Sequence, residues 1–410
     1  MSTIKEDHFE VRLYGRRIGA LHRRVDYTWL ILDESYIDDS SRAVLGLRFE
    51  EDLHAKYAAN DRLPPWFSNL LPEGRLREWI ADERDVPISR EMELLAHVGH
   101  DLPGAVQVFG TDDVMKNISP SGRELVANHP RPLEDAGWRF SLAGVGMKFS
   151  MLAQDDRFTA PAVGERGDWI VKLPDHKYNA VPLNEFAMMT LARGAGIEIP
   201  EIRLVDRDQL GSLPEEVWPR HERVAYAIRR FDRGPDRSLI HIEDLAQVRN
   251  FYPDDKYNGT LETVAALVYR GRDTASLLEF VRRLAFNILI CNGDAHLKNW
   301  SLIYRDPRIP TLAPAYDLVA TSVYRPRGEP ENTGLKFCGT KRFERITAAC
   351  FVGLQIKLRV TVSLVEEVEK LVERVVAAWP EVSELLKDEP QTRAAIGASI
   401  ERGANQLRKK

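Results

Sequence analysis

The apolar residues of this chain change their spacing part-way along it, and that change restricts the fold more than any other feature. His8-Phe-Glu-Val-Arg-Leu-Tyr14 alternates polar and apolar positions, the period of a half-buried strand. Gly15 follows, and Ile18-Gly-Ala-Leu21 and Trp29-Leu-Ile-Leu32 resume the pattern, which predicts an antiparallel meander. From Pro65 to His97 the spacing turns helical, with Pro72 and Gly74 dividing two segments, and a short strand follows between Gly99 and Val108. Residues 111–137 are polar and carry Pro120, Gly122, Pro130 and Pro132, as a linker or exposed loop does.

Strand signals return near Trp138. Residues 140–152 read as two short strands joined by a glycine turn, and residues 168–173, 202–205 and 225–228 as further strands. Asn184 to Arg193 reads as a helix closed by Gly194. After residue 240 the reading is helical, over 261–269 and 276–291. Leu364, Val365, Val368, Leu371, Val372, Val375 and Val376 form one helical stripe, read as core packing. Strands first and helices last imply an α+β fold of two lobes. The expected division is a first unit over 1–110, a linker over 111–137, a strand-rich region over 138–240 and a helical lobe over 241–410.

A chain of 410 residues can bury a large core and divide in this way. A net charge of −5 argues against a protein built to coat nucleic acid. Cys291, Cys338 and Cys350 are odd in number and widely spaced, with no metal or disulfide pattern, which fits a reducing cytosol. The N-terminus has no apolar signal core, and no apolar run approaches the ~18–20 residues of a membrane span. A cytoplasmic protein is therefore expected.

Four stretches carry the chemistry. In Cys291-Asn-Gly-Asp-Ala-His-Leu-Lys-Asn-Trp-Ser-Leu-Ile303, Asp294 and Asn299 stand five residues apart between two apolar segments. Phosphoryl transfer needs a carboxylate near the attacking hydroxyl and oxygen ligands for Mg²⁺, and protein kinases use this Asp-to-Asn separation for those tasks. The plain alternative is a polar turn after a helix. In Pro314-Ala-Tyr-Asp-Leu-Val-Ala-Thr321, Asp317 is flanked by apolar residues and needs a partner; a shared Mg²⁺ or a local cap through Thr321 would serve. Lys172, in Trp169-Ile-Val-Lys-Leu-Pro174, shares a strand face with Ile170 and suits nucleotide phosphates, or is a solvated edge lysine. Ser141-Leu-Ala-Gly-Val-Gly-Met-Lys148 offers Gly144 and Gly146 for close backbone approach to phosphates, without a Walker spacing, or forms a hairpin turn.

Taken in order, these pieces resemble the HipA family of toxin kinases. Leu70-Leu-Pro-Glu-Gly74, His97-Val-Gly-His-Asp-Leu-Pro-Gly-Ala-Val106, Asn184-Glu-Phe186, Gly196-Ile-Glu-Ile-Pro200 and Arg230-Phe-Asp-Arg233 add to the likeness, which covers residues 8–330. The resemblance implies a bilobal kinase-like fold with a HipA-type N-terminal subdomain, a strand-rich ATP-binding region and a mainly helical catalytic lobe. It implies an ATP- and Mg²⁺-dependent serine/threonine kinase, with Asp294 as catalytic base and Asn299 and Asp317 as metal ligands. By the same likeness Lys172 contacts the ATP phosphates. Ala143, Gly144, Val145, Gly146, Met147 and Lys148 form the phosphate loop, and Arg229, Arg230 and Phe231 the adenine hinge. His296, Lys298 and Tyr316 complete the nucleotide site. Ser141 matches a serine that family members autophosphorylate, which is thought to expel the phosphate loop.

Family toxins pair with a small DNA-binding, HipB-like antitoxin that reaches operator DNA, and they phosphorylate aminoacyl-tRNA synthetases. Two positions depart from the pattern: Gly146 stands where Gln is usual, and Arg229 where an acidic residue is frequent. The competing expectations are a non-catalytic nucleotide-binding partner in an antitoxin–DNA complex, and a small-molecule phosphotransferase on a similar scaffold.

Overall fold

The structure, a computed structural model, describes residues 6–110, 147–154, 157–159, 166–211, 218–219, 221–326 and 328–409. Ser141, Ala143, Gly144, Val145, Gly146 and the whole expected linker lie outside the described residues.

Strands β1 (Asp7–Leu13), β2 (Arg16–Arg24), β3 (Tyr27–Leu32), β4 (Tyr57–Asn60) and β5 (Val106–Gly110) form an antiparallel sheet in the order β4-β3-β2-β1-β5. The β1–β2 turn uses Tyr14 (φ 53°) and Gly15 (φ 76°), a left-handed pair that reverses the chain in two residues. Three helices follow β4, at Pro65–Ser68, Gly74–Glu83 and Glu91–Val98, where the spacing predicted two segments. The extra break falls at residues 84–90, which include Pro87 and Asp85 at φ 50°.

A second antiparallel sheet, ordered β7-β6-β8-β10-β9, holds β6 (Lys148–Gln154), β7 (Arg157–Thr159), β8 (Trp169–Lys172), β9 (Ile202–Asp206) and β10 (Val224–Arg229). Both its faces are covered. Phe149, Met151, Trp169, Val171, Ala225 and Ala227 join the core of the N-terminal sheet and its helices. Tyr226, Ile228 and Ile202 join a second core, with helix Val181–Gly194 and the C-terminal lobe. Strand alternation thus divides one sheet between two hydrophobic clusters.

The C-terminal lobe is built on helices Leu261–Val268, Thr274–Leu289, Ala348–Leu358, Leu364–Val382 and Pro390–Leu407. Asp273 caps the second of these by accepting from the Ser276 N–H at 3.0 Å. Leu364, Val368, Leu371, Val372 and Val375 are fully buried, while Val376 sits at the margin, 40% exposed. The expectation of a helical stretch after residue 240 needs correction. β11 (His241–Asp244), β12 (Ser301–Asp306) and β13 (Ile309–Leu312) form a small sheet, of which β12 is the strand-like run that follows the Asp294–Asn299 loop in the sequence, and β14 (Asn332–Phe337) and β15 (Thr340–Arg342) form a hairpin.

β11 escaped notice because polar residues occupy its buried positions. Glu243 is wholly buried and accepts from the Leu47 N–H (2.9 Å), Trp66 Nε1 (3.1 Å) and the Tyr304 hydroxyl (2.5 Å). These bonds tie the N-terminal sheet's helices to the C-terminal lobe through a carboxyl that burial pushes up to about 7. Among the described residues, no helix is long and apolar enough to cross a membrane.

Candidate active site

Helix Thr274–Leu289 aims the chain at the site. Cys291 takes a left-handed conformation (φ 51°) just beyond it and turns the backbone into a polar loop. Asn292 fixes that loop. Its side-chain oxygen accepts from the Asp294 N–H (3.1 Å), and its amide donates to Asn287 Oδ1 (2.8 Å) and the Asp317 carbonyl (3.3 Å). Asn299 Nδ2 donates to the Asp294 carbonyl at 2.7 Å, so Asn299 Oδ1 is left without a partner among the described residues.

Asp317 also has a left-handed backbone (φ 54°), a conformation unfavourable by on the order of 1 kcal/mol or more for a residue with a Cβ. Its neighbourhood is held by Asn184, which exchanges hydrogen bonds with Ala320 through its Nδ2 (3.2 Å) and its Oδ1 (3.1 Å). Asp317 Oδ1 accepts from Lys172 Nζ, and Lys172 also donates to Glu185 Oε1 at 2.6 Å. Lys172 is therefore an ion-paired residue of a central strand and not a solvated edge lysine. Thr321, the alternative partner of Asp317, bonds instead to Gly293, Cys291 and Glu331.

Lys148 sits directly opposite Lys172 across β6 and β8. Burial pushes its ammonium down to about 8, against the pull of Asp317. Burial pushes the Asp317 carboxyl up, but the Lys172 and Lys148 charges outweigh this and hold it at about 2.

A cleft of about 730 Å³ lies between the second sheet, the C-terminal lobe and the N-terminal unit. Asp294, Asn299, Asp317, Lys172, Lys148, Met147, His296, Lys298, Tyr316, Arg229, Arg230 and Phe231 all line it. Phe231 and Tyr316 face each other with ring centroids 5.5 Å apart. Burial pushes His296 down to about 4, so its imidazole is neutral near pH 7, and its Nδ1 is buried without a partner among the described residues.

Two expected nucleotide contacts are otherwise engaged. The Arg230 guanidinium is buried in ion pairs with Asp101 (3.0 Å) and Asp232 (2.8 Å), and its backbone N–H donates to the Asp168 carbonyl (2.8 Å). Lys298 is buried against the Asn69 carbonyl (2.8 Å), Glu73 (3.1 Å) and Asp244 (3.6 Å). Both cations gain more from buried carboxylates than from an open cleft, since a desolvated charge without a partner is costly. Arg229 lies 3.6 Å from Glu201 near the surface.

Two family models cover most of the chain: the HipA N-terminal domain matches residues 9–109, and the HipA-like C-terminal domain residues 140–381. The chain belongs to the HipA family. The Y4dM protein of Sinorhizobium fredii is 43% identical over 380 residues, 90% of each chain. The serine/threonine-protein kinase toxin HipA of Shewanella oneidensis is 25% identical over 354 residues, 79% of this chain and 77% of that one. The fold of HipA in the Shewanella oneidensis MR-1 complex of HipA, HipB and operator DNA superposes with a TM-score of 0.75 at 20% identity, over 97% of both chains. The architecture is thus the α+β bilobal fold of HipA, with its N-terminal subdomain and mainly helical C-terminal lobe.

Four residues at the site were not singled out as functional from the sequence. Glu185 lay inside the landmark Asn184-Glu-Phe186, and Glu73 inside Leu70-Leu-Pro-Glu-Gly74. Lys256 and Tyr257 carried no pattern. Glu73 comes from the N-terminal unit, lies 2.7 Å from Lys256 Nζ and 3.1 Å from Lys298 Nζ, and so joins that unit to the loop that carries Asp294 and Asn299. Burial pushes its carboxyl up, but the Lys298 and Lys256 charges outweigh this and hold it at about 2. Glu73→Ala should cost about 1–3 kcal/mol, since Lys298 keeps Asp244 and Asn69. Chemical denaturation at pH 7 checks this. The wild-type advantage should be full above the ordinary carboxylate value of 4.5 and fade as pH falls toward 2.

Proposed function

We propose that this HipA family protein is an ATP-dependent serine/threonine protein kinase, with residues 138–240 binding the nucleotide and 241–410 supplying the catalytic groups. The observation that carries the reading is the convergence in one cleft of Asp294, Asn299, Asp317 and the Lys172–Glu185 pair. The residues fit Mg²⁺ and ATP. Asn299 Oδ1 and the second oxygen of Asp317 are hard, unpartnered ligand atoms among the described residues, and Mg²⁺ takes one or two such ligands beside phosphate oxygens. Bound there, Mg²⁺ would offset the charge of the phosphates.

The chain's own residues do the rest. Lys172 and Lys148 set cationic charge beside the phosphates, and Phe231 and Tyr316 offer aromatic surface to the purine. His296 lines the same cleft as a neutral imidazole. Asp294 accepts the acceptor hydroxyl's proton as that oxygen bonds to the γ-phosphorus and the bond to the bridging oxygen breaks, releasing ADP.

The finer reading follows the relatives. The chain acts as the toxin of a toxin–antitoxin pair in the cytoplasm, with a HipB-like DNA-binding antitoxin and operator DNA reached through it. Its substrate is a translation component such as an aminoacyl-tRNA synthetase, and Ser141 is its own autophosphorylation site. Incubation with γ-³²P-labelled ATP and a cell lysate, followed by identification of the labelled band, tests activity and substrate together.

Mg²⁺-ATP should also raise the melting temperature, the stabilisation reaching about 2.7 kcal/mol at a ligand concentration 100-fold above Kd. Lys172→Ala should diminish the shift. No shift at millimolar Mg²⁺-ATP would remove the nucleotide-binding reading.

A further inference from the structure

The hydroxyl of Tyr257 donates a hydrogen bond to Asp294 Oδ1. Asp294 Oδ2 has no partner among the described residues. The two oxygens of one carboxylate are therefore in different situations: one is held by the protein, and the other is unpartnered among the described residues. We propose that Tyr257 is a positioning residue for phosphoryl transfer, fixing the rotamer of Asp294 so that its free oxygen meets the acceptor hydroxyl. The inference rests on the kinase reading of the site.

The anchoring of Tyr257 supports this role. The Asp294 side chain is 54% exposed, so solvent alone would leave it free to change rotamer, and only a specific contact holds it. Tyr257 lies in the loop between the turn Pro253–Asp255 and helix Leu261–Val268, and that loop is fastened on three sides. The Lys256 carbonyl accepts from the Leu297 N–H of the catalytic loop at 3.0 Å. The Lys256 ammonium donates to Glu73 of the N-terminal unit at 2.7 Å. Lys341 Nζ donates to the Gly334 carbonyl at 2.9 Å and approaches the Tyr257 carbonyl at 3.5 Å.

The ring itself stands edge-on to His296, centroids 5.1 Å apart and planes at 82°. His296 is neutral and buried, a rigid wall against which the ring rests. Burial and the Asp294 charge hold the Tyr257 phenol well above its ordinary range, so it remains a donor at working pH. Tyr257 and Asp294 both line the cleft, so the hydroxyl engages one carboxylate oxygen within it. Placement of a general base is a geometric requirement of transfer, and small departures reduce turnover without altering nucleotide affinity.

The test compares wild type, Tyr257→Phe and Tyr257→Leu in steady-state transfer to an identified acceptor, or in the single-turnover rate of autophosphorylation when no other acceptor is in hand. Tyr257→Phe keeps the ring against His296 and removes only the hydroxyl. It should lower kcat about tenfold, the scale of one lost charge-assisted hydrogen bond, with the KM for ATP and the melting temperature unchanged. Tyr257→Leu should lose about as much as Tyr257→Phe, because the hydroxyl and not the ring does the positioning. In an Asp294→Asn background, Tyr257→Phe should have no further effect on residual transfer, since both act through one carboxylate.

Transfer by the wild type with Tyr257→Phe equal to it would overturn the inference and leave the kinase reading standing. A rise in turnover in Tyr257→Phe would also overturn it, as would a phosphate on Tyr257, because the hydroxyl would then be a plug or an acceptor. A loss confined to Tyr257→Leu would assign the effect to ring packing and overturn it too. No transfer from the wild type would instead sink the reading beneath it.

Discussion

Asp294→Asn should cut phosphoryl transfer to a small residual rate while Mg²⁺-ATP binding persists. The substitution keeps the size and the polar contacts of the side chain and removes its capacity to take a proton. General-base catalysis contributes about 10²–10⁴-fold, so kcat should fall by that factor. The proposed nucleotide contacts should survive because they lie elsewhere: Lys172 on β8, Asp317 beyond β13 and the Phe231–Tyr316 pair. The Asp294 carbonyl, which orients Asn299, is backbone and is unaffected by the change. A thermal-shift titration and a labelled-ATP assay on the same preparation separate the two effects. Intact-mass and peptide mass spectrometry extend the test to Ser141, which should carry phosphate in the wild type and far less in the variant. Wild-type turnover in Asp294→Asn would show that another group is the base.

The second large effect is on stability. Asp101→Ala should cost about 3–5 kcal/mol, the usual scale for removing one partner of a buried ion pair. Asp101 Oδ1 accepts from Arg230 (3.0 Å) and Arg233 (2.8 Å), and Oδ2 accepts from Ser150 Oγ (2.8 Å). Asp232 completes the cluster, accepting from both arginines and from the Gly104 N–H at 2.7 Å. Exposure of these ion-paired side chains is 6% or less, so water cannot take the place of the lost carboxylate. Truncation leaves two buried guanidinium groups facing one acid. Urea denaturation reads the loss, and a change below about 1 kcal/mol would show that the cluster relaxes around the gap. Burial pushes the Asp101 carboxyl up, and the Arg230 and Arg233 charges outweigh it, so it titrates below its ordinary value of 3.8. The wild-type advantage over Asp101→Ala should thus be full above that value and shrink as the medium becomes more acidic.

The sequence was most informative where chemistry and periodicity were local. The alternation of residues 8–14 and 168–173 marked strands because one face of each is apolar and buried. The Asp294–Asn299 spacing drew attention to a polar loop, and in the folded chain Asn299 bonds the Asp294 carbonyl and both residues line the cleft. Legibility failed where a side chain's task was decided by a residue far away in the chain. The family likeness reads Arg230 and Lys298 as nucleotide-site residues, yet their side chains pair with Asp101 and Glu73 of the N-terminal unit. β11 was hidden for the same reason: Glu243 is tolerable inside only because Trp66, Leu47 and Tyr304 converge on it. Tyr257 had no periodic or motif context, and only the folded chain brings its hydroxyl to Asp294.

The sheet of β6 to β10 also bears on how the chain is made. A ribosome releases the first 110 residues well before the strands that complete their core. Phe9, Val11, Leu70 and Leu95 belong to one cluster with Phe149, Val171 and Ala227, so the nascent N-terminal unit emerges with part of its apolar face unmatched. Asp101 likewise waits for Arg230 and Arg233 to appear. During that interval the growing chain presents greasy surface and an unpaired acid to its surroundings, a state that invites chaperones or self-association until residue 233 has left the exit tunnel.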